Sequence, residues 1–198
     1  KSLDNYPESS GGGIEVIPFY LPNADQMVYG PSNFDRRHRF VVSYVWDLPN
    51  APTENPFVRG VLHGWQATGI GQFQTGAPFT ITSGRDNSQT AIGRDRAQLT
   101  GANFDPAAGP DKTVWFNSAA FAVNDVGTFG TVGRGAFYGP HLFSWDMGIF
   151  KKFTITEDVN VQFRAEFFNI FNQVNFANPN TNVSGGGFGR ITSTHPNA

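Results

Sequence analysis

The residues able to do chemistry are few and scattered. Asp86, Asn87, Ser88 and Asp95 share one loop-like stretch with Arg85, Arg94 and Arg96. On an exposed loop such a set can hold an anionic or sugar-like ligand; otherwise its members pair with one another. Trp65, Trp115, Phe116 and Trp145 could stack on a sugar, or mark the aromatic edge of a membrane wall. Asp146 and Glu166 are expected on the polar faces of neighbouring strands. Two carboxylates there can do acid–base work or simply line a wet lumen. His38, His63, His141 and His195 show no metal-ligand spacing. Ser184, in Val183-Ser184-Gly185-Gly186-Gly187, has no nucleophile elbow and would need a His and an acid brought from elsewhere. No catalytic residue, metal or cofactor is therefore expected. The ligand-binding candidates are Arg85, Asp86, Arg94, Asp95 and Trp115.

The bulk composition narrows the class. Among 198 residues, 20 are Phe, 23 Gly and 13 Pro, and the net charge is −2. Charged residues make up 15%, against about 25% in ordinary soluble domains. This fits a turn-rich β protein better than a free-standing soluble one. No basic run points to nucleic acid. Cysteine is absent, which removes disulfides and thiolate metal sites. There is no apolar run of the roughly 18 residues a membrane helix needs. The start, Lys1-Ser2-Leu3-Asp4, has neither methionine nor an apolar leader, as expected of a fragment or a processed product.

The positioning elements follow from alternation, since successive side chains on a strand point to opposite faces. Asp158 to Phe171 places Val159, Val161, Phe163, Ala165 and Phe167 on one face, and Asn160, Gln162, Arg164 and Glu166 on the other. Arg37–Leu48 alternates likewise, with Phe40, Val42, Tyr44, Trp46 and Leu48 together. Gly64–Thr75, Phe79–Thr82, Ser144–Phe153 and Phe188–Ser193 complete a set of about five or six strands, all antiparallel and up-and-down. Residues 1–36 read as a loop-rich segment preceding a β domain over 37–198. Within that domain, 83–140 reads as a long irregular loop of the kind that carries function. No helix is expected, and Thr53–Arg59 reads as a short connection. Short turns alternating with long loops suit an outer-membrane barrel, whereas a soluble β-sandwich or small barrel would turn the polar faces outward.

Several stretches, in order, resemble the barrel of TonB-dependent outer-membrane receptors of the Oar-like, acidobacterial type. They are Asn33-Phe34-Asp35-Arg36-Arg37-His38-Arg39, Gly64-Trp65, Thr75-Gly76-Ala77-Pro78-Phe79 and Trp115-Phe116-Asn117. Gly127-Thr128-Phe129-Gly130, Trp145-Asp146, Phe163-Arg164-Ala165-Glu166-Phe167-Phe168-Asn169-Ile170-Phe171-Asn172 and Phe188-Gly189-Arg190-Ile191 continue the series. The resemblance implies a bacterial outer-membrane location and a place in the C-terminal part of a barrel, short of its last strand. It implies lipid and the remaining barrel strands as partners, with TonB reached only through a plug domain that this stretch lacks. A sugar or other small nutrient would be the ligand, and Gln162, Arg164 and Glu166 would face the lumen. A soluble carbohydrate-binding β-sandwich and a hydrolase on a β scaffold are the competing expectations.

Overall fold

The computed structural model describes residues 3–4, 29–91, 95–106, 111 and 113–195. The strands are β1 (Leu3–Asp4), β2 (Gly30–Pro31), β3 (Arg39–Asp47), β4 (Trp65–Gln74) and β5 (Pro78–Phe79), then β6 (Gln98–Leu99), β7 (Phe121–Ala122) and β8 (Phe137–Tyr138). The two longest late strands are β9 (Leu142–Thr154) and β10 (Asn160–Phe167), and an α-helix, α1, spans Pro56–Leu62. The secondary structure is thus mostly antiparallel β.

Two compact units emerge, and their division differs from a cut near residue 36. One unit gathers Lys1–His38, Thr75–His141 and Asn175–Asn197; the other holds Arg39–Gln74 and Leu142–Val174. They interleave in sequence because the segment 75–141, between the paired strands β4 and β9, belongs to the other unit.

The sheet unit is a four-stranded antiparallel meander in the order β10-β9-β4-β3. Its register runs without a break: Phe40 opposite Phe73, Phe73 opposite Phe143, Trp46 opposite Ala67, Ala67 opposite Ile149 and Ile149 opposite Ala165. Directly opposed residues share a face, so four separate alternations become one apolar face and one polar face. Gly69 and Gly71 matter here because a Cβ would meet the Tyr44 ring at 2.6 Å and the Trp145 ring at 2.5 Å. Without side chains, they let the aromatic rings of both neighbouring strands lie across β4.

α1 is where the expectation of a helix-free chain fails. Asn55 caps it, its Oδ1 accepting from the Phe57 N–H at 3.0 Å and the Val58 N–H at 3.3 Å, and Pro56 takes the first turn. The residues set a helix start, but seven residues are too few to show a helical period.

The second unit corrects the long-loop expectation for 83–140. Regular structure there is sparse, yet Phe79, Ile81, Ala97, Phe116, Ala120, Phe121 and Val132 form a buried core, with Phe104, Trp115, Phe137, Val183 and Phe188 packed around it. Phe104 stacks on Phe137 with ring centres 4.5 Å apart, and Phe116 meets Phe121 edge-on at 5.4 Å. Such pairs add about 0.5–1.5 kcal/mol each beyond the area they bury. The segment Phe188–Ser193 joins this unit through an isolated bridge, Val114 to Arg190, in place of the expected strand. Phe79–Thr82 is likewise strand only at Pro78–Phe79, which pairs with β8.

Candidate functional site

The polar face of the sheet is built strand by strand. β3 contributes Arg39, Ser43 and Asp47, β4 Gln66, Thr68, Gln72 and Gln74, β9 Ser144, Asp146 and Lys152, and β10 Asn160, Gln162, Arg164 and Glu166. The three residues expected on a lumen lie here. Arg164 and Glu166 form an ion pair, and the Arg164 guanidinium also sits 5.2 Å from the centre of the Phe150 ring. Gln66 donates to Asp47 Oδ1 at 2.8 Å. Asp146 Oδ1 accepts from the Asn169 N–H at 2.8 Å, fixing the turn that ends β10. Asp146 and Glu166 help line a cleft of about 420 Å³ together with Ser43, Thr68 and Phe168. Val45 and Ile70, also in that cleft, interrupt the polar face with exposed apolar side chains.

The opposite face carries Phe40, Val42, Tyr44 and Trp46, then Trp65, Ala67 and Phe73, then Phe143, Trp145, Met147, Ile149 and Phe153, then Val161, Phe163, Ala165 and Phe167. Much of it is open: Phe40 is 63% exposed and Trp46 58%. A sandwich would bury this face under a second sheet; here no such cover lies over it among the described residues. From Phe143 to Phe153, at about 3.3 Å per residue, the apolar run is about 33 Å long. Tilted by the 35–45° usual in membrane barrels, it would stand about 25 Å tall, the height of their apolar band. Phe40, Phe73 and Phe143 form a row at one end, while Trp46, Trp65, Phe153 and Phe163 gather toward the other.

One charge breaks the apolar face. Lys151, opposite Trp65 and Phe163 in the register, is 2% exposed. Its ammonium donates to the carbonyls of Val61 and His63, each at 2.7 Å, and lies 5.2 Å from the Trp65 ring centre and 4.9 Å from that of Phe153. Carbonyls left over at the end of α1 thus satisfy a cation that would otherwise be desolvated at heavy cost. This arrangement went unseen in the sequence, although a lysine between Ile149 and Phe153 in an alternating run was its visible mark.

The ligand-binding candidates fall in the aromatic-core unit. Asp95 is buried, accepting from the Ser88 N–H and the Ser88 hydroxyl at 2.6 Å each and from Asn124 Nδ2 at 3.0 Å. Asp86 is exposed and accepts from the N–H groups of Thr90 at 3.2 Å and Ala91 at 2.8 Å. Asp86 and Asp95 are thus brought together through Ser88, with their oxygens turned to the loop's own donors. Arg85 donates through Nε to Ser184 Oγ at 3.4 Å. Trp115 flanks the core, its indole N–H donating to the Tyr138 carbonyl at 3.2 Å. Arg94 lies outside the described residues.

Ser184 gives its hydroxyl proton to the Ser83 carbonyl at 2.8 Å, so the hydroxyl serves the loop and is not set against a base. His63 Nε2 is 2.8 Å from the Ala51 carbonyl oxygen. No group of three or more His, Asp or Glu side chains among the described residues could hold a metal ion. One exposed acid is conditioned by its neighbours. Thr113, through its hydroxyl at 2.6 Å and N–H at 2.9 Å, followed by Arg190 Nη1 at 2.7 Å, holds the Asp111 carboxyl below its ordinary range.

A family model described as "Outer membrane beta barrel domain" matches residues 1–198. No curated protein and no solved structure matches the chain. The chain belongs to this family of outer-membrane β-barrel domains, and its place is the bacterial outer membrane.

Proposed function

We propose that this chain forms part of the wall of a TonB-dependent outer-membrane transporter. The observation that supports the reading is the sheet itself: four strands in one register, with an exposed apolar face about as tall as a membrane's apolar band at the usual strand tilt, and a polar face behind it. β3 and β10, the outer strands, would pair with further strands of the barrel, because an open edge cannot stand in hydrocarbon. Gln162, Arg164 and Glu166 then face the lumen, and the apolar face meets lipid. Passage of a small nutrient requires no bond-making chemistry from these residues.

On this reading the segment 75–141 is extracellular, as long loops are in such barrels. Ligand capture falls to its exposed side chains, Arg85 and Asp86 first, while Asp95 and Trp115 keep the segment folded. The openness of the apolar face counts against the sandwich alternative, which would bury that face under a second sheet. The test is uptake: cells expressing the protein should accumulate a candidate nutrient only while TonB is present and the inner membrane is energised. Uptake that persists without TonB would mark a passive porin and sink the transporter reading while leaving the barrel intact.

A further inference from the structure

α1 stands where a plain strand wall needs no helix. It lies in the connection between β3 and β4, at the same end of the sheet as the 155–159 hairpin, and Lys151 ties it to the apolar side of the sheet. Trp65 adds a second tie, its indole N–H donating to the Val61 carbonyl at 2.8 Å. Three of its apolar side chains are open: Phe57 is 80% exposed, with Val61 and Leu62 close to half. Ile155 and Val159 on the neighbouring hairpin are exposed as well. Beside them, Arg59, His63 and Lys152 line a cleft of about 360 Å³ with Phe153 and Ile155.

We propose that α1 is an interfacial foot, lying in the headgroup zone of the phospholipid leaflet at the short-turn end of the barrel. Phe57, Val61 and Leu62 enter among the upper acyl carbons, and Arg59 meets lipid phosphates. The inference rests on the barrel-wall reading, which makes the sheet's apolar face the lipid face. The foot is continuous with that face because Lys151 belongs to it. A seven-residue helix would not persist alone in water; the Asn55 cap and the Lys151 and Trp65 ties hold it in place, so that little ordering is left to the lipid. Amphipathic helices bind interfaces through buried apolar area plus attraction to anionic headgroups, and both ingredients are present. Short turns face the periplasm in such barrels, so the leaflet concerned is the inner one.

The chain has no cysteine, so Phe57→Cys, Phe163→Cys and Val161→Cys, in a background where any cysteine outside these residues is replaced, can each carry an environment-sensitive fluorophore. The full-length protein would be inserted into vesicles of phosphatidylethanolamine and phosphatidylglycerol, with insertion checked by heat-modifiable gel mobility. A label at position 57 should show blue-shifted emission and stronger quenching by nitroxides near the headgroup than by nitroxides at mid-chain. Labels at 161 or 163 should be quenched by lipid nitroxide within the hydrocarbon, and adding Lys151→Met should lower quenching at 57 alone. If 161 and 163 are quenched while 57 stays water-like and open to iodide, the foot is overturned and the wall stands. If 57 is quenched at mid-chain as strongly as 163, α1 belongs to the spanning wall and the foot is again overturned. If neither 161 nor 163 senses lipid, the wall reading falls and the foot with it.

Discussion

The two units use the same apolar residues in opposite ways. In the aromatic-core unit Phe79, Phe116 and Phe121 are all but buried, and polar groups such as Asp95 and Asn124 are folded in beside them. In the sheet unit Phe40 and Trp46 stand more than half exposed and Phe163 nearly half, although the strands that carry them are held in one continuous register. The difference comes from the backbone. Where a ladder satisfies every N–H and C=O, apolar side chains can turn outward into lipid; where the backbone is irregular, it needs water and its own side chains, so the aromatics must turn inward. A high phenylalanine content is therefore one composition serving two solvents.

The contrast can be broken most directly at Phe116. Phe116→Ala removes a buried ring and should cost the core unit about 3–5 kcal/mol, whereas Phe40→Ala on the sheet should cost far less in detergent. Equal losses in denaturant titrations of the two variants would erase the distinction. Next in size is a charge on the apolar face. Ile149→Arg should lower stability in a bilayer by about 2–4 kcal/mol, while Gln72→Arg on the polar face should change little. Urea-driven refolding into vesicles measures both, and a large cost at Gln72 would reverse the assignment of faces.

A smaller effect sharpens the comparison, because at Lys151, alone among the described residues, the sheet unit buries a charged side chain on its apolar side. Lys151→Met strips a donor from the carbonyls of Val61 and His63 and should cost about 1–3 kcal/mol, with faster amide exchange confined to 56–65. Exchange that spreads through β4 and β9 would mean that the lysine supports the whole sheet. The smallest effect belongs to Asp111. Its folded-state pKa is depressed, so the stability it lends is fully present above the ordinary value of 3.8 and is lost as pH falls through the lower folded value. A carboxyl titration should find the midpoint below 3.8, rising toward it in Thr113→Val; a midpoint at or above 3.8 in the unaltered protein would refute the assignment.

The sheet was legible where alternation was long. Asp158–Phe171 and Arg37–Leu48 declared their two faces, and the observed strands lie inside those bounds, because period-two patterning reports directly on side-chain direction. The core unit was not legible. Phe79, Phe104, Phe116, Phe121, Phe137 and Phe188 come from separate short segments, each giving one ring to the cluster, so no local period exists to be read. The same reason hides α1. The polar candidates divide similarly: Gln162, Arg164 and Glu166 lie on the face their spacing indicated, while Asp86 and Asp95 are turned toward loop donors that only folding brought near.

The sequence alone determined which side chains share a strand face, and its ordered motifs carried the likeness to outer-membrane barrels, since both are properties of neighbouring residues. Only the tertiary structure decided that four faces align into one wall, that 75–141 closes on an aromatic core, and that Lys151 finds two carbonyls under α1. Those outcomes depend on register and on pairs such as Lys151 with Val61, far apart in the chain. Their energies exist only once the backbone has brought them together.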